Sequence, residues 1–119
     1  MNIHIEKRGE ADIVRPAGRL DSATSGAFER AAGEVFDAGC RLMVLDFSQI
    51  EYVSSAGLRA TLILGKRMRA IAGGKLVLCS LAPQVREIFE ISGFVAIFSI
   101  CLSLDAALSA CGLASGNGG

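Results

Sequence analysis

The run Leu42-Met43-Val44-Leu45 is apolar at four consecutive positions and is closed by Asp46. A strand with one face in water alternates apolar and polar residues. A run apolar on both faces suits a central parallel strand covered by helices on either side. Lys75-Leu76-Val77-Leu78-Cys79 is a second strand of this buried type. Between the two lies a helical pattern of about four turns through Thr61, Leu62, Leu64, Met68 and Ile71, ending near Gly73-Gly74.

The flanking segments fit the same plan. Residues 2–7 and 11–17 read as strands joined at Arg8-Gly9-Glu10, a hairpin with glycine in the turn. Pro16 is expected at an edge or near a strand end, because it has no N–H for a ladder. Gly18-Arg19-Leu20-Asp21 is then expected to leave the sheet. Asp21, Ser22 and Thr24 are alternative caps for a helix carrying Phe28, Ala31, Ala32 and Val35, which Gly39 stops. Pro83 opens a helix with Val85, Ile88 and Phe89 inward, stopped by Gly93. Residues 97–101 give a short last strand, and Ser103 starts a final helix through Leu104, Ala107 and Leu108 to Gly112. Of the cluster Phe89, Ile91, Phe94, Val95, Ile97 and Phe98, most members are expected in the core. The expected order is ββαβαβαβα: an α/β fold with a mixed sheet of about five strands packed with four helices. Residues 1–112 make one domain, and the tail 113–119 has nothing to bury and is expected to be disordered.

Composition removes several function classes. Of 119 residues 51% are hydrophobic, which excludes a disordered chain. Twelve basic and twelve acidic side chains cancel, so no global field draws in nucleic acid or an anionic membrane. No apolar run approaches the ~20 residues that span a bilayer, and the alternating start Asn2-Ile3-His4-Ile5 lacks the apolar centre of a signal peptide. A cytoplasmic location is expected, with no direct membrane insertion. Cys40, Cys79, Cys101 and Cys111 form no C-x-x-C pair, and His4 is the single histidine. Zinc ligands cluster at short spacings, so these cysteines read as reduced and structural, with no metal or cofactor expected. Gly73-Gly74-Lys75 lacks the spaced first glycine and following Ser/Thr of a phosphate loop, and it precedes a strand. Lys66, Arg67 and Arg69 suit the C-terminal end of their helix and read as a solvated face.

Tyr52-Val53-Ser54-Ser55-Ala56-Gly57-Leu58 places two hydroxyls where extended chain hands over to a helix. The free N–H groups and dipole of a helix start favour negative charge. Ser54 is a good N-cap, accepting from the N–H of Ala56 or Gly57, worth ~1 kcal/mol. Ser55 then occupies the first helical position facing solvent, as a structural residue or as a phosphate acceptor. Arg59, one turn on, lies on the same face and can pair with such a phosphate. Gly57 costs ~1 kcal/mol relative to Ala inside a helix, so it serves close approach, either of a partner or of a neighbouring strand. Gly65 is read as a packing glycine.

Gly18-Arg19-Leu20-Asp21, together with Asp46-Phe47-Ser48-Gln49-Ile50-Glu51-Tyr52-Val53-Ser54-Ser55-Ala56-Gly57-Leu58, resembles the STAS domain of bacterial anti-sigma factor antagonists. That family shows a G-x-L-D element after its second strand and a D-x-S-x-x-x-x-x-D-S-S/A-G-L element before its second long helix. The resemblance extends over residues 1–112 and implies a regulatory binding module without catalysis of its own. It places the phosphoacceptor at Ser55. It puts Asp21 on the partner-binding and phosphorylation surface, with Ser54, Gly57 and Arg59 beside it. Two positions depart from the commonest pattern: Ser54 stands where Asp is frequent, and Ala56 where a second Ser often follows the acceptor. The implied partners are an ATP-dependent serine kinase that acts as anti-sigma factor and a PP2C-type phosphatase. The chain itself is expected to be a monomer or weak homodimer.

Two rivals use the same domain: a cytoplasmic subunit of an ABC-type lipid transporter, and a scaffold component of a signalling assembly. An enzyme would need a nucleophile–base pair, and a lone histidine on a strand gives little basis for one. A phosphoacceptor domain of the two-component type would need an acidic pair after the first strand, where this chain has Lys7-Arg8.

Overall fold

The computed structural model describes residues 1–112, so the expected disorder of 113–119 lies outside the described residues. The element order is β1 (Asn2–Arg8), β2 (Ala11–Leu20), α1 (Ser25–Asp37), β3 (Leu42–Asp46), β4 (Gln49–Val53), α2 (Ser55–Arg69), β5 (Lys75–Cys79), α3 (Pro83–Ile91), a single 3-10 turn (Phe94–Ala96), β6 (Ser99–Cys101) and α4 (Leu104–Ala110). The sheet runs β1-β2-β3-β5-β6, with β4 joined to β2. Only β1 is antiparallel to its neighbour. This is the expected mixed sheet with four helices, enlarged by one strand.

The added strand is β4, in a segment to which the sequence reading assigns no element of its own. Its pairing with β2 steps from Gly18↔Ile50 to Arg19↔Tyr52, leaving Glu51 as an extra residue on β4. Such a bulge breaks the two-residue alternation. Ile50 and Val53 therefore both face inward at a spacing of three, a pattern that carries no strand signal.

β2 also differs from expectation. It runs on through Gly18, Arg19 and Leu20, which stay in the sheet as the partner of β4. Pro16 is neither at an edge nor at a strand end. β2 pairs with β3 over Ala11–Val14 and with β4 over Ala17–Leu20. Pro16 falls in the gap where the strand changes partners, so its missing N–H breaks no ladder.

The main core lies on one face of the sheet, where Val14, Leu20, Met43 and Leu45 meet Phe28 of α1, Leu64 and Met68 of α2, and Val85 and Phe89 of α3. Phe28, Phe47, Phe89 and Phe98 stack edge to face through it, with centroids 6.2, 6.3 and 6.4 Å apart. On the other face Ala107 and Leu108 of α4 cover Ala11, Ile13, Val44, Val77 and Cys79. The apolar cluster around Gly93 is less buried than expected. Phe89 and Phe98 are buried and Phe94 is half-buried, whereas Ile91, Val95 and Ile97 are exposed. Ile91, two residues after the buried Phe89 on α3, falls on the opposite side of that helix.

Asp46 is a buried carboxylate at the end of β3. Its Oδ2 accepts from Arg15 Nε at 2.8 Å and its Oδ1 from the Ser48 N–H at 3.0 Å. Burial alone would raise its pKa; the bonds from Arg15 and Ser48 outweigh that and hold the carboxyl below the usual range. The thiols behave in the opposite way: burial pushes Cys40 up to about 12 and Cys79 up to about 11. All four cysteines are free, and both of these stay protonated at neutral pH.

Helix α2 sits close against β2. A Cβ on Gly57 would come to 2.5 Å from the Leu20 carbonyl oxygen and 3.0 Å from the side chains of Leu20 and Val53. Of the two readings of Gly57, the structure supports close approach to a neighbouring strand. At Gly65 the obstacle is the Phe98 ring, at 2.7 Å. Two outcomes follow. Gly57→Ala should destabilise the protein by about 1–3 kcal/mol in urea unfolding, because backbone must shift, despite the ~1 kcal/mol that alanine adds to helix propensity. A gain in stability would show that the approach is not tight. Because the folded pKa of Asp46 is depressed, its contribution is present above the unfolded carboxylate value of ~3.9 and is lost as pH falls through the folded value. Unfolding midpoints should therefore fall on acidification below about pH 4, and Asp46→Asn should flatten that limb. An unchanged limb in the variant would contradict the assignment.

Candidate functional site

Two distant segments meet where β2 and β4 end side by side. Leu20 is registered with Val53 and Arg19 with Tyr52. The Ser54 N–H then donates to the Leu20 carbonyl at 2.9 Å, extending the parallel ladder by one rung as the chain turns into α2. The G-x-L-D element and the serine turn are thus neighbours, joined by backbone.

Ser54 is extended, at φ −88° and ψ 178°, and is the N-cap of α2. Its Oγ accepts from the Gly57 N–H at 3.3 Å, one of the two bonds expected of it. Ser55 follows as the first helical residue, with an exposed side chain. The N–H groups of Ser55 and Ala56 have no acceptor among the described hydrogen bonds, as the geometry of a helix start dictates. Two free donors therefore point out of the turn beside an exposed hydroxyl. Thr61, the other hydroxyl of this helix, is fully buried and donates to the Gly57 carbonyl at 2.9 Å. Its burial leaves Ser55 as the accessible hydroxyl within α2.

Arg59 is exposed, four residues beyond Ser55 on the same side of α2, and enters none of the described ion pairs. Gly57 is buried against Leu20, so it positions the serines and presents no surface of its own. Asp21 does not cap α1. Its Oδ1 accepts from the Ala23 N–H at 3.0 Å, closing a local turn. Thr24 occupies the N-cap position without a side-chain cap bond: its hydroxyl oxygen accepts from the Asp21 N–H at 3.0 Å instead, and its hydrogen goes to the Arg19 carbonyl at 2.7 Å. Asp21 is about a quarter exposed, and its Oδ2 lies 3.7 Å from Arg19 Nε.

Two surface residues escaped the sequence reading. The Arg19 guanidinium stacks 4.5 Å over the Tyr52 ring, and both side chains are exposed. An aromatic and an arginine side by side are the residue types that anchor protein interfaces. The signal that could have found them was position, since each lies inside one of the two motifs. His4 is exposed on β1, 4.0 Å from Glu6. No group of three or more His, Cys, Asp or Glu suited to a metal ion occurs among the described residues.

The arrangement can bind a protein surface and accept a phosphoryl group on an exposed hydroxyl. A protein of Bordetella bronchiseptica, BtrV, named as an anti-sigma factor antagonist, is 45% identical over 92% of this chain and 94% of its own length. The solved structure of an anti-sigma factor antagonist from Mycobacterium paratuberculosis superposes with a TM-score of 0.82 at 25% identity, covering 92% of both chains. The Bacillus cell fate determinant SpoIIAA in its phosphorylated form shares the fold with a TM-score of 0.70 at 19% identity, covering 92% of this chain and 98% of that one. The STAS domain model matches residues 2–107. With the two motifs brought together at the head of α2, the chain belongs to the STAS domain family of anti-sigma factor antagonists.

Proposed function

We propose that the protein is a phosphorylation-switched anti-sigma factor antagonist acting in the cytoplasm. The unmodified form binds a serine-kinase anti-sigma factor and draws it away from its sigma factor. That kinase transfers the γ-phosphoryl group of ATP to Ser55 Oγ, releasing ADP and a proton, and the complex dissociates. A phosphatase of the PP2C type hydrolyses the phosphoester and resets the switch. In this reading the chain is substrate and binding module, with no catalysis of its own. The relative at 45% identity over nearly its whole length favours an antagonist over a transporter subunit.

The observation that carries the reading is the exposed Ser55 at the head of α2, beside two N–H groups without acceptors. Phosphorylation adds about −1.5 to −2 charges and three acceptor oxygens. The free donors, the helix dipole and Arg59 accommodate that charge, so the fold has no reason to rearrange. The modification acts at the interface instead, through bulk and charge against a partner shaped for the bare serine. Arg19, Asp21 and Tyr52 form the adjoining part of that interface. No helix among the described residues is long and apolar enough to cross a membrane, which fits a partner met in solution.

Titration against the purified kinase tests this. Ser55→Ala should bind like the wild type and take up no phosphate, and Ser55→Asp should bind at least about tenfold more weakly, a loss of ~1.4 kcal/mol or more. Both should melt within a degree or two of the parent. Equal affinity of Ser55→Asp and wild type would remove the switch from this residue.

A further inference from the structure

The strands that end the main path of the sheet, β1 and β6, are protected very differently. β6 offers three residues, too few to template another strand. β1 offers seven, paired with β2 without a break from Asn2↔Ala17 to Arg8↔Ala11. It contains no proline and no bulge, and β2 is its only substantial neighbour among the described residues. Long, regular, uncovered edges are those that natural proteins ordinarily blunt.

The hairpin fixes which groups face outward. Gly9, at φ +61°, and Glu10 form a two-residue turn closed by Arg8 and Ala11. A closing pair of this kind exchanges both of its hydrogen bonds, and the pattern then alternates along the ladder. Asn2, His4, Glu6 and Arg8 therefore direct their N–H and C=O groups to β2. Ile3, Ile5 and Lys7 direct theirs to the free edge. Pro16, opposite Ile3, agrees with this alternation, since it sits where no N–H is asked of it by β1.

We propose that β1 pairs with β1 of a second copy of this chain, antiparallel about a two-fold axis through Ile5. In this register Ile5 faces Ile5, Ile3 faces Lys7, His4 faces Glu6 and Asn2 faces Arg8. Every outward-facing residue meets an outward-facing residue, so each of the pairs Ile3–Lys7 and Ile5–Ile5 exchanges two backbone hydrogen bonds. The side chains are self-complementary: an isologous contact sets His4 against Glu6 twice, once on each side of the axis. Ile5, an apolar side chain 45% exposed in the single chain, is covered at the axis. The neighbouring registers lose this complementarity. A slip of two residues one way sets Glu6 against Glu6; the other way it sets His4 against His4. Slips of one residue break the hydrogen-bond parity.

The contact is a strand edge and is small, so the dimer is weak and concentration-dependent. It joins two sheets into one continuous sheet and leaves both serine turns free, because β4 and α2 lie on the opposite side of β2. A strand of a different protein is the alternative occupant.

Sedimentation velocity of the full chain from micromolar to millimolar concentration tests the proposal, together with amide hydrogen exchange. The expected result is a reversible monomer–dimer equilibrium in which protection of the Ile3, Ile5 and Lys7 amides rises with concentration while that of His4 and Glu6 stays constant. Ile5→Lys places two cations at the axis and should weaken the dimer at least tenfold, with an unchanged far-ultraviolet spectrum. A chain monomeric at millimolar concentration overturns the proposal and leaves the edge to another protein. A dimer in which these three amides exchange freely overturns it also, even if Ile5→Lys fails to fold.

Discussion

The site depends on how closely α2 lies against β2. The Leu20 carbonyl accepts the Ser54 N–H at 2.9 Å while its oxygen leaves no room for a Cβ on Gly57. One backbone oxygen thus fixes the first turn of α2 from two directions. That contact aligns the serine turn with the G-x-L-D element, sets Ser54 as the cap and turns Ser55 outward. A helix start held in this way has its orphan donors already aimed, so adding a phosphate costs little reorganisation of the chain. The proposed switch differs from one that orders or melts a segment. Its effect is confined to whatever docks over Ser55, Tyr52 and Arg19.

Much of the architecture was legible in the sequence. The runs at 42–45 and 75–79 are buried strands because only a two-sided environment tolerates so many consecutive apolar residues. Pro83 and Ser103 mark helix starts through well-understood backbone chemistry, and Ser103 accepts from the Ala106 N–H at 3.1 Å as a cap should. What escaped was set by tertiary pairing. Through its bulge at Glu51, β4 has the wrong period to announce itself. Without β4, the stretch Gly18–Leu20 had no visible partner and appeared to leave the sheet. Pro16 looked like a strand-end residue for the same reason, since a gap between two successive partners leaves no trace in the local pattern.

The candidate site was legible in part. Ser54 and Ser55 stand in the expected roles of cap and exposed first helical residue. Gly57 kept two readings open until the distance to Leu20 was known, because a glycine announces close approach but not what approaches. Asp21 proved to be a turn former whose carboxylate stays partly exposed, a role that depends on the Thr24 hydroxyl turning back to Arg19. The stacking of Arg19 on Tyr52 depends wholly on the register of β2 against β4, and no spacing in one dimension encodes it.

The central claim is that a single hydroxyl, on Ser55, receives the phosphoryl group while the turn around it keeps its shape. The most direct measurement incubates the protein with ATP and its kinase and maps the modification by fragmentation mass spectrometry. The account predicts one phosphate, on Ser55. Phosphate on Ser54 or on the buried Thr61, with Ser55 untouched, would contradict it.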